Sequence, residues 1–105
     1  MGPKQCRNIL EHIGKDERIN VWHLALFLAL LRLAYAQKEK KTIKVSRSKL
    51  MQLSHIRTLP TYHKYFKELQ DFGYIEYSPS YHPGFRSTVT FKKSNVKDLK
   101  NVLQN

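Results

Sequence analysis

The chain has 105 residues, with 19 Lys and Arg against eight Asp and Glu and a formal charge of +11. That length suits one domain with a real but modest core, and an apolar share of 41% with six Tyr, five Phe and one Trp argues against disorder. Its single cysteine, Cys6, excludes an internal disulfide and fits a reducing cytosol.

Residues 4–13 place Cys6, Ile9, Leu10 and Ile13 at i, i+3, i+4 and i+7. That is one apolar helix face, with Gly14 as its expected stop and Cys6 as a small core residue. A polar connection, GKDER, leads to Asn20, the expected cap of a second helix running to about Gln37. The stretch Val21 to Ala36, VWHLALFLALLRLAYA, is the longest apolar run of the chain. It is short for a bilayer span and contains His23 and Arg32. An amphipathic segment precedes it, which argues against a signal peptide, so no membrane partner is expected. Trp22, Leu24, Leu26, Phe27, Leu28, Leu30, Leu31 and Leu33 take up more than half of the circumference. Such a helix is expected to be covered on several sides, by the rest of the fold or in part by a second copy of the chain.

Thr42-Ile43-Lys44-Val45 alternates and is rich in β-branched residues, which predicts a short strand. Ser46 then caps a short helix carrying Leu50, Met51 and Leu53, and SHIRT forms the turn after it. Thr58 is the expected cap of the next helix, with Pro60 tolerated in its first turn. Leu59, Tyr62, Phe66 and Leu69 make one stripe, Tyr65 and Phe72 flank it, and Gly73 ends the helix. Two alternating segments follow, Tyr74–Ser78 and Thr88–Lys92, joined by the turn-rich SPSYHPGFRS. They predict a hairpin in which Ile75 and Tyr77 share one face and Val89 and Phe91 another. Ser94 or Asn95 caps a last amphipathic helix with Val96, Leu99 and Leu103.

The order is α-α-β-α-α-β-β-α: one domain over 1–105, its core at about 18–92, flanked by helices at 1–14 and 94–104. The expected class is mainly α with a small β-hairpin (α+β), arranged as a winged helix-turn-helix.

Charge is not spread evenly over this pattern. Residues 38–67, KEKKTIKVSRSKLMQLSHIRTLPTYHKYFK, hold nine Lys and Arg and one acid, Glu39, and so carry +8 of the +11. Basic charge on a compact helix-turn-helix pattern is the footprint of a duplex-binding surface. With the apolar stripe of residues 59–69 turned inward, Thr61, His63, Lys64 and Lys67 project outward or to the flanks. Thr61 and His63 then suit base edges in the major groove, Lys64 a guanine or a phosphate, and Lys67 a phosphate. Ser46, Arg47, Ser48 and Lys49 open the preceding helix, where hydroxyls, backbone N–H groups and cations suit a phosphate. Ser46 can also serve as a plain cap. Arg57, with Thr58 beside it, supplies a further contact from the turn. Lys38, Lys40 and Lys41 read as a solvated loop. Arg86 is the full cation of the wing tip, with His82 near it, and suits the minor groove or the backbone. Tyr81 and Phe85 are expected to pack the loop onto itself, and Tyr74 and Tyr77 to serve the core or the hairpin surface.

Catalysis finds little support. There is no close carboxylate pair, no G-x-S-x-G and no Gly-rich phosphate loop. Histidines 12, 23, 55, 63 and 82 include no i, i+4 pair, and Cys6 has no C-x-x-C partner, so a metal site is not expected. The expectation is a protein that is not an enzyme, needs no cofactor and has no small-molecule ligand. Its expected partners are double-stranded DNA and a second copy in a homodimer, and its expected place is the cytoplasm, at the bacterial nucleoid.

The stretch SRSKLMQLSHIRTLPTYHKYFKELQDFGYIEYSPSYHPGFRS, preceded by INVWHLALFLALL, resembles a family of short winged-helix proteins encoded on conjugative and mobilizable elements of Bacteroidetes. TYHKYFKEL and GYIEYSPSY are its specific part, and the similarity covers roughly residues 18–92. The tip departs from the family pattern, which has an Asn and a Lys-Gly near the turn; here it reads His82-Pro83-Gly84-Phe85-Arg86. The resemblance implies a winged helix, DNA binding and regulation. The expected function is therefore sequence-specific binding of duplex DNA by a small transcriptional regulator of a mobile element. Alternatives are an accessory factor in replication or excision, and a winged helix used for protein–protein contact. Clustered charge argues against the last, because interface cores are depleted in charge.

Overall fold

A reciprocal cap starts the longest helix. Asn20 Oδ1 accepts from the backbone N–H groups of Trp22 (2.9 Å) and His23 (3.3 Å), and His23 Nδ1 accepts from the Asn20 N–H (2.9 Å). This is a capping box in which a histidine takes the place usually held by Glu or Gln. The helix, α1, spans Val21–Gln37 as the sequence predicts, and Lys38 closes it in the left-handed region at φ 57°.

The computed structural model describes residues 11–39 and 41–92. The expected helix at 94–104, Cys6 and most of the expected helix at 4–13 lie outside the described residues. Residues 11–15 are helical. The helix thus passes through Gly14, expected as its stop, and the chain turns after Lys15, where the Asp16 N–H reaches Ile13 O (3.3 Å).

After α1 come β1 (Thr42–Val45), α2 (Arg47–Ser54), α3 (Leu59–Asp71), β2 (Ile75–Ser78) and β3 (Ser87–Phe91). The described residues form an α+β fold, helices beside a three-stranded antiparallel sheet of order β1-β3-β2. The hairpin therefore takes in β1 as a third strand, beside β3. Ile43 pairs with Val89, Val89 with Tyr77, and Phe91 with Ile75. This register corrects the expected division of the hairpin. Ile75, Tyr77, Val89 and Phe91 share one face of the sheet, because paired residues of neighbouring strands point the same way.

That face, α1 and the inner sides of α2 and α3 enclose the core. Leu26, Phe27, Leu30, Ile43, Leu50, Ile56, Leu69, Ile75 and Val89 are almost wholly buried. Phe27 meets Phe91 and Tyr74 edge to face, with ring centroids 5.8 and 6.1 Å apart. The outer edge of β1 is partly satisfied by Gln37, whose side chain donates to Lys44 O (2.8 Å) and accepts from the Lys44 N–H (2.9 Å).

Two expectations about helix faces need correction. Leu59, placed on the core stripe of α3, is 45% exposed. It is the first residue of the helix, a turn short of the core that Tyr62, Phe66 and Leu69 reach. α1 is packed against α2, α3 and β1 but keeps one bare strip: Val21, Leu28 and Tyr35, seven residues apart, are 68%, 50% and 83% exposed. Trp22 at their flank is also exposed. Among the described residues, no helix is long and apolar enough to cross a membrane.

Candidate nucleic-acid interface

The start of α2 is built by Ser46. Its extended backbone ends β1, and its Oγ accepts from the Lys49 N–H (3.2 Å), so the cap is present as expected. Arg47, Ser48 and Lys49 are exposed on this first turn. His55 closes α2 in the left-handed region at φ 62°. Ile56 then drops into the core, which anchors the turn and leaves Arg57 and Thr58 outside. Inside a segment read only as a turn, Ile56 fixes the angle between the two helices.

Thr58 stands at the N-cap position of α3, but its side chain makes no cap bond. Its hydroxyl donates instead to Thr61 Oγ1 (2.8 Å), so the two threonines hold each other and Thr61 is half-buried. His63, Lys64 and Lys67 are exposed, as the inward stripe of Tyr62, Phe66 and Leu69 requires. Lys64 Nζ lies 5.2 Å from the centroid of the Tyr65 ring, and the His63 ring 5.3 Å from that of Tyr62.

Three elements bring their ends together here. Burial pushes the Tyr62 phenol up to about 12, Tyr77 of β2 adds to the shift, and the Arg47 guanidinium opposes it. Arg47 at the start of α2 and Tyr77 of β2 thus both act on Tyr62 in the first turn of α3. The register extends the group: Val45, the last residue of β1, pairs with Ser87, so Arg86 lies level with Ser46 and Arg47. Arg86 also lines an open cleft of about 500 Å³ with Gln37, Glu39 and Lys44. Lys44, counted in the basic segment but not among the expected contacts, is an exposed cation of the same surface.

These cations have few acids near them. Between residues 41 and 67 the chain has no Asp or Glu. Among the described residues the Lys and Arg ion pairs are Arg18–Asp16 and Lys92–Glu76, and none involves Arg47, Lys49, Arg57, Lys64, Lys67 or Arg86. Exposed cations left unpaired by the protein attract polyanions.

Two features escaped the sequence reading. His23 is buried with Nε2 2.8 Å from Glu68 Oε1, which ties the first turn of α1 to the middle of α3. Because Nδ1 accepts from Asn20, Nε2 is the nitrogen that donates. A histidine at the third position after a cap-type residue is the only local hint of this, and its partner lies 45 residues away. Tyr81 and Phe85, expected to pack the wing loop onto itself, are 92% and 74% exposed. Tyr74, by contrast, is core: its hydroxyl donates to Asp16 Oδ2 (2.6 Å). Arg18 hydrogen-bonds the same carboxylate and holds it well below the usual carboxylate range, while its guanidinium lies over Phe72.

Comparison with protein-family models, curated proteins and solved structures finds no match to this chain.

Proposed function

We propose that the chain is a winged helix-turn-helix protein that binds double-stranded DNA. In this reading α3 lies in the major groove, with His63 and Lys64 toward base edges and Thr61 presenting the hydroxyl it shares with Thr58. The α2 start (Ser46, Arg47, Ser48, Lys49), the turn (Arg57, Thr58), Lys67 and Arg86 meet phosphates. The observation that carries the reading is the set of exposed cations on α2, its turn, α3 and the β2–β3 loop, none of them in an ion pair among the described residues. Read with the family resemblance, this makes the protein a small transcriptional regulator of a mobile element, working at the nucleoid in the cytoplasm. Titration of duplex DNA at several salt concentrations tests it. About six phosphate contacts cost on the order of a thousandfold in affinity between roughly 50 and 200 mM salt. Absence of binding at low salt, or a response flat in salt, would overturn the proposal and favour a protein-binding role.

A second partner is proposed for α1. Its bare strip, Val21, Leu28 and Tyr35, repeats every seven residues along one side of the helix, with half-buried Leu24 beside it. Arg32 is the one residue of α1 charged at neutral pH. In a chain of +11 this is the face on which two copies approach with least repulsion, and paired readers suit paired half-sites. Sedimentation at tens of micromolar should show a dimer that Leu28→Lys dissociates; a monomeric wild type would remove this part of the proposal.

A further inference from the structure

The tip of the wing is a built turn. The Phe85 N–H donates to His82 O (3.1 Å), closing four residues around Pro83 and Gly84. The Ser80 N–H donates to Ser87 Oγ (3.0 Å) and the His82 N–H to Ser80 Oγ (3.3 Å). The His82 ring stands edge-on to Phe85, with centroids 6.1 Å apart and planes at 88°. These contacts set the direction of the Phe85 side chain, yet they do not cover it. Phe85 is 74% exposed and Tyr81 92%. A loop that used these rings for its own packing would bury them; here an aromatic side chain is held out at the far end of the hairpin.

The surroundings of that ring are polar and basic. Arg86 follows it in the chain, and residues 77–92 contain Arg86 and Lys92 and no acid. The pairing of Ser87 with Val45 sets the tip past the end of β1, beside the point where α2 begins. In the DNA-binding reading, a duplex held at Ser46–Lys49 would run past this tip, where a minor groove can meet it. Minor-groove proteins combine a cation with an apolar side chain that slips between base steps, partly unstacks them and kinks the duplex.

We propose that Phe85 is such a wedge, steadied by Arg86, and that this protein bends the DNA it binds. Its preferred sites would carry a flexible pyrimidine–purine step where the wing lands, since those steps unstack most easily. The inference rests on the DNA-binding reading above and adds an architectural activity to it.

The test uses duplexes that the full-length protein selects from a random pool, labelled at both ends with donor and acceptor dyes. Binding is followed by anisotropy and bending by energy transfer between the ends. Wild type should shorten the end-to-end distance, as expected for a bend of tens of degrees. Phe85→Ala should bind the same duplex within about tenfold and leave it nearly straight, while Phe85→Leu, still an apolar wedge, should keep most of the bend. Circular dichroism should match wild type for both, since the side chain is exposed. Wild type that binds and leaves the duplex straight, or Phe85→Ala that bends it fully, overturns the wedge while the DNA reading stands. Wild type that binds no duplex at low salt overturns the DNA reading itself, and the wedge with it.

Discussion

The two longest helices divide their surfaces in opposite ways. α1 buries eight of its 17 residues and carries Arg32 as its one charge at neutral pH. α3 buries three of its 13, Tyr62, Phe66 and Leu69, and turns Lys64 and Lys67 to solvent. α1 is packed against α2, α3 and β1, whereas α3 buries one stripe, holds α1 through Tyr65 and Glu68 at its flank, and leaves His63, Lys64 and Lys67 exposed. Stability and binding should therefore separate along the chain. Changes on the inner side of α1 should act on folding, and changes on the outer side of α3 on partners.

The sharpest break of that division is Phe27→Ala. Phe27 is 1% exposed and meets Phe91 and Tyr74, so its loss should cost about 3–5 kcal/mol in denaturant unfolding. A small domain has little stability to spare, so this loss takes up a large part of it. The His23–Glu68 pair is where the two helices meet, and it probes the comparison directly. His23→Ala leaves Glu68 and the Asn20 N–H without their partner and should cost about 1–3 kcal/mol. His23→Gln should recover part of this, because Gln can still accept from Asn20. At the small end, Leu59→Ser on the exposed start of α3 should stay within about 0.5 kcal/mol of wild type. A large loss there would mean that α3 gives the core more than one stripe.

Acid should expose one further tie to the core. The Asp16 carboxyl titrates below its ordinary range because Arg18 and Tyr74 hydrogen-bond it. A depressed folded pKa stabilises the fold above the unfolded value, about 4 for Asp, and that stabilisation is lost as pH falls below it. Asp16→Asn should therefore be less stable than wild type at pH 7, with the gap closing as pH drops through the acid range. A gap of constant size across that range would show that Asp16 acts through packing and not through its charge.

How much of this was legible follows from how local each feature is. The Asn20 and Ser46 caps, the bounds of α1 and β1, the Gly73 stop and the outward cations of α3 depend on neighbours within one or two turns, and they stand where the residues predict them. The bare face of α1 was not legible, because leucines around most of a helix give it no phase. Nor was the sheet register, which depends on β1 finding β3 more than 40 residues away. Thr58 was a sound cap by residue type, but the Thr61 hydroxyl three residues on took its hydrogen bond instead. The wing aromatics were misplaced for a related reason. Residue type says that Tyr81 and Phe85 prefer burial, and only the turn geometry holds them out. At the candidate interface, cation positions were readable because charge seeks solvent, whereas the convergence of Arg47, Tyr62 and Tyr77 is a property of the assembled fold.

The division between reading and holding is tested most directly by four variants measured on a selected site and on random duplex, after circular dichroism shows each to be folded. Thr61→Ala and Lys64→Ala should weaken the selected site by about 1–3 kcal/mol more than random DNA, as the loss of a base contact does. Arg47→Ala and Arg86→Ala should weaken both duplexes about equally and lower the salt slope by about one unit each. Equal losses on both duplexes for all four would make α3 a backbone clamp. No change in Thr61→Ala and Lys64→Ala would contradict the account, because α3 would then lie outside the groove.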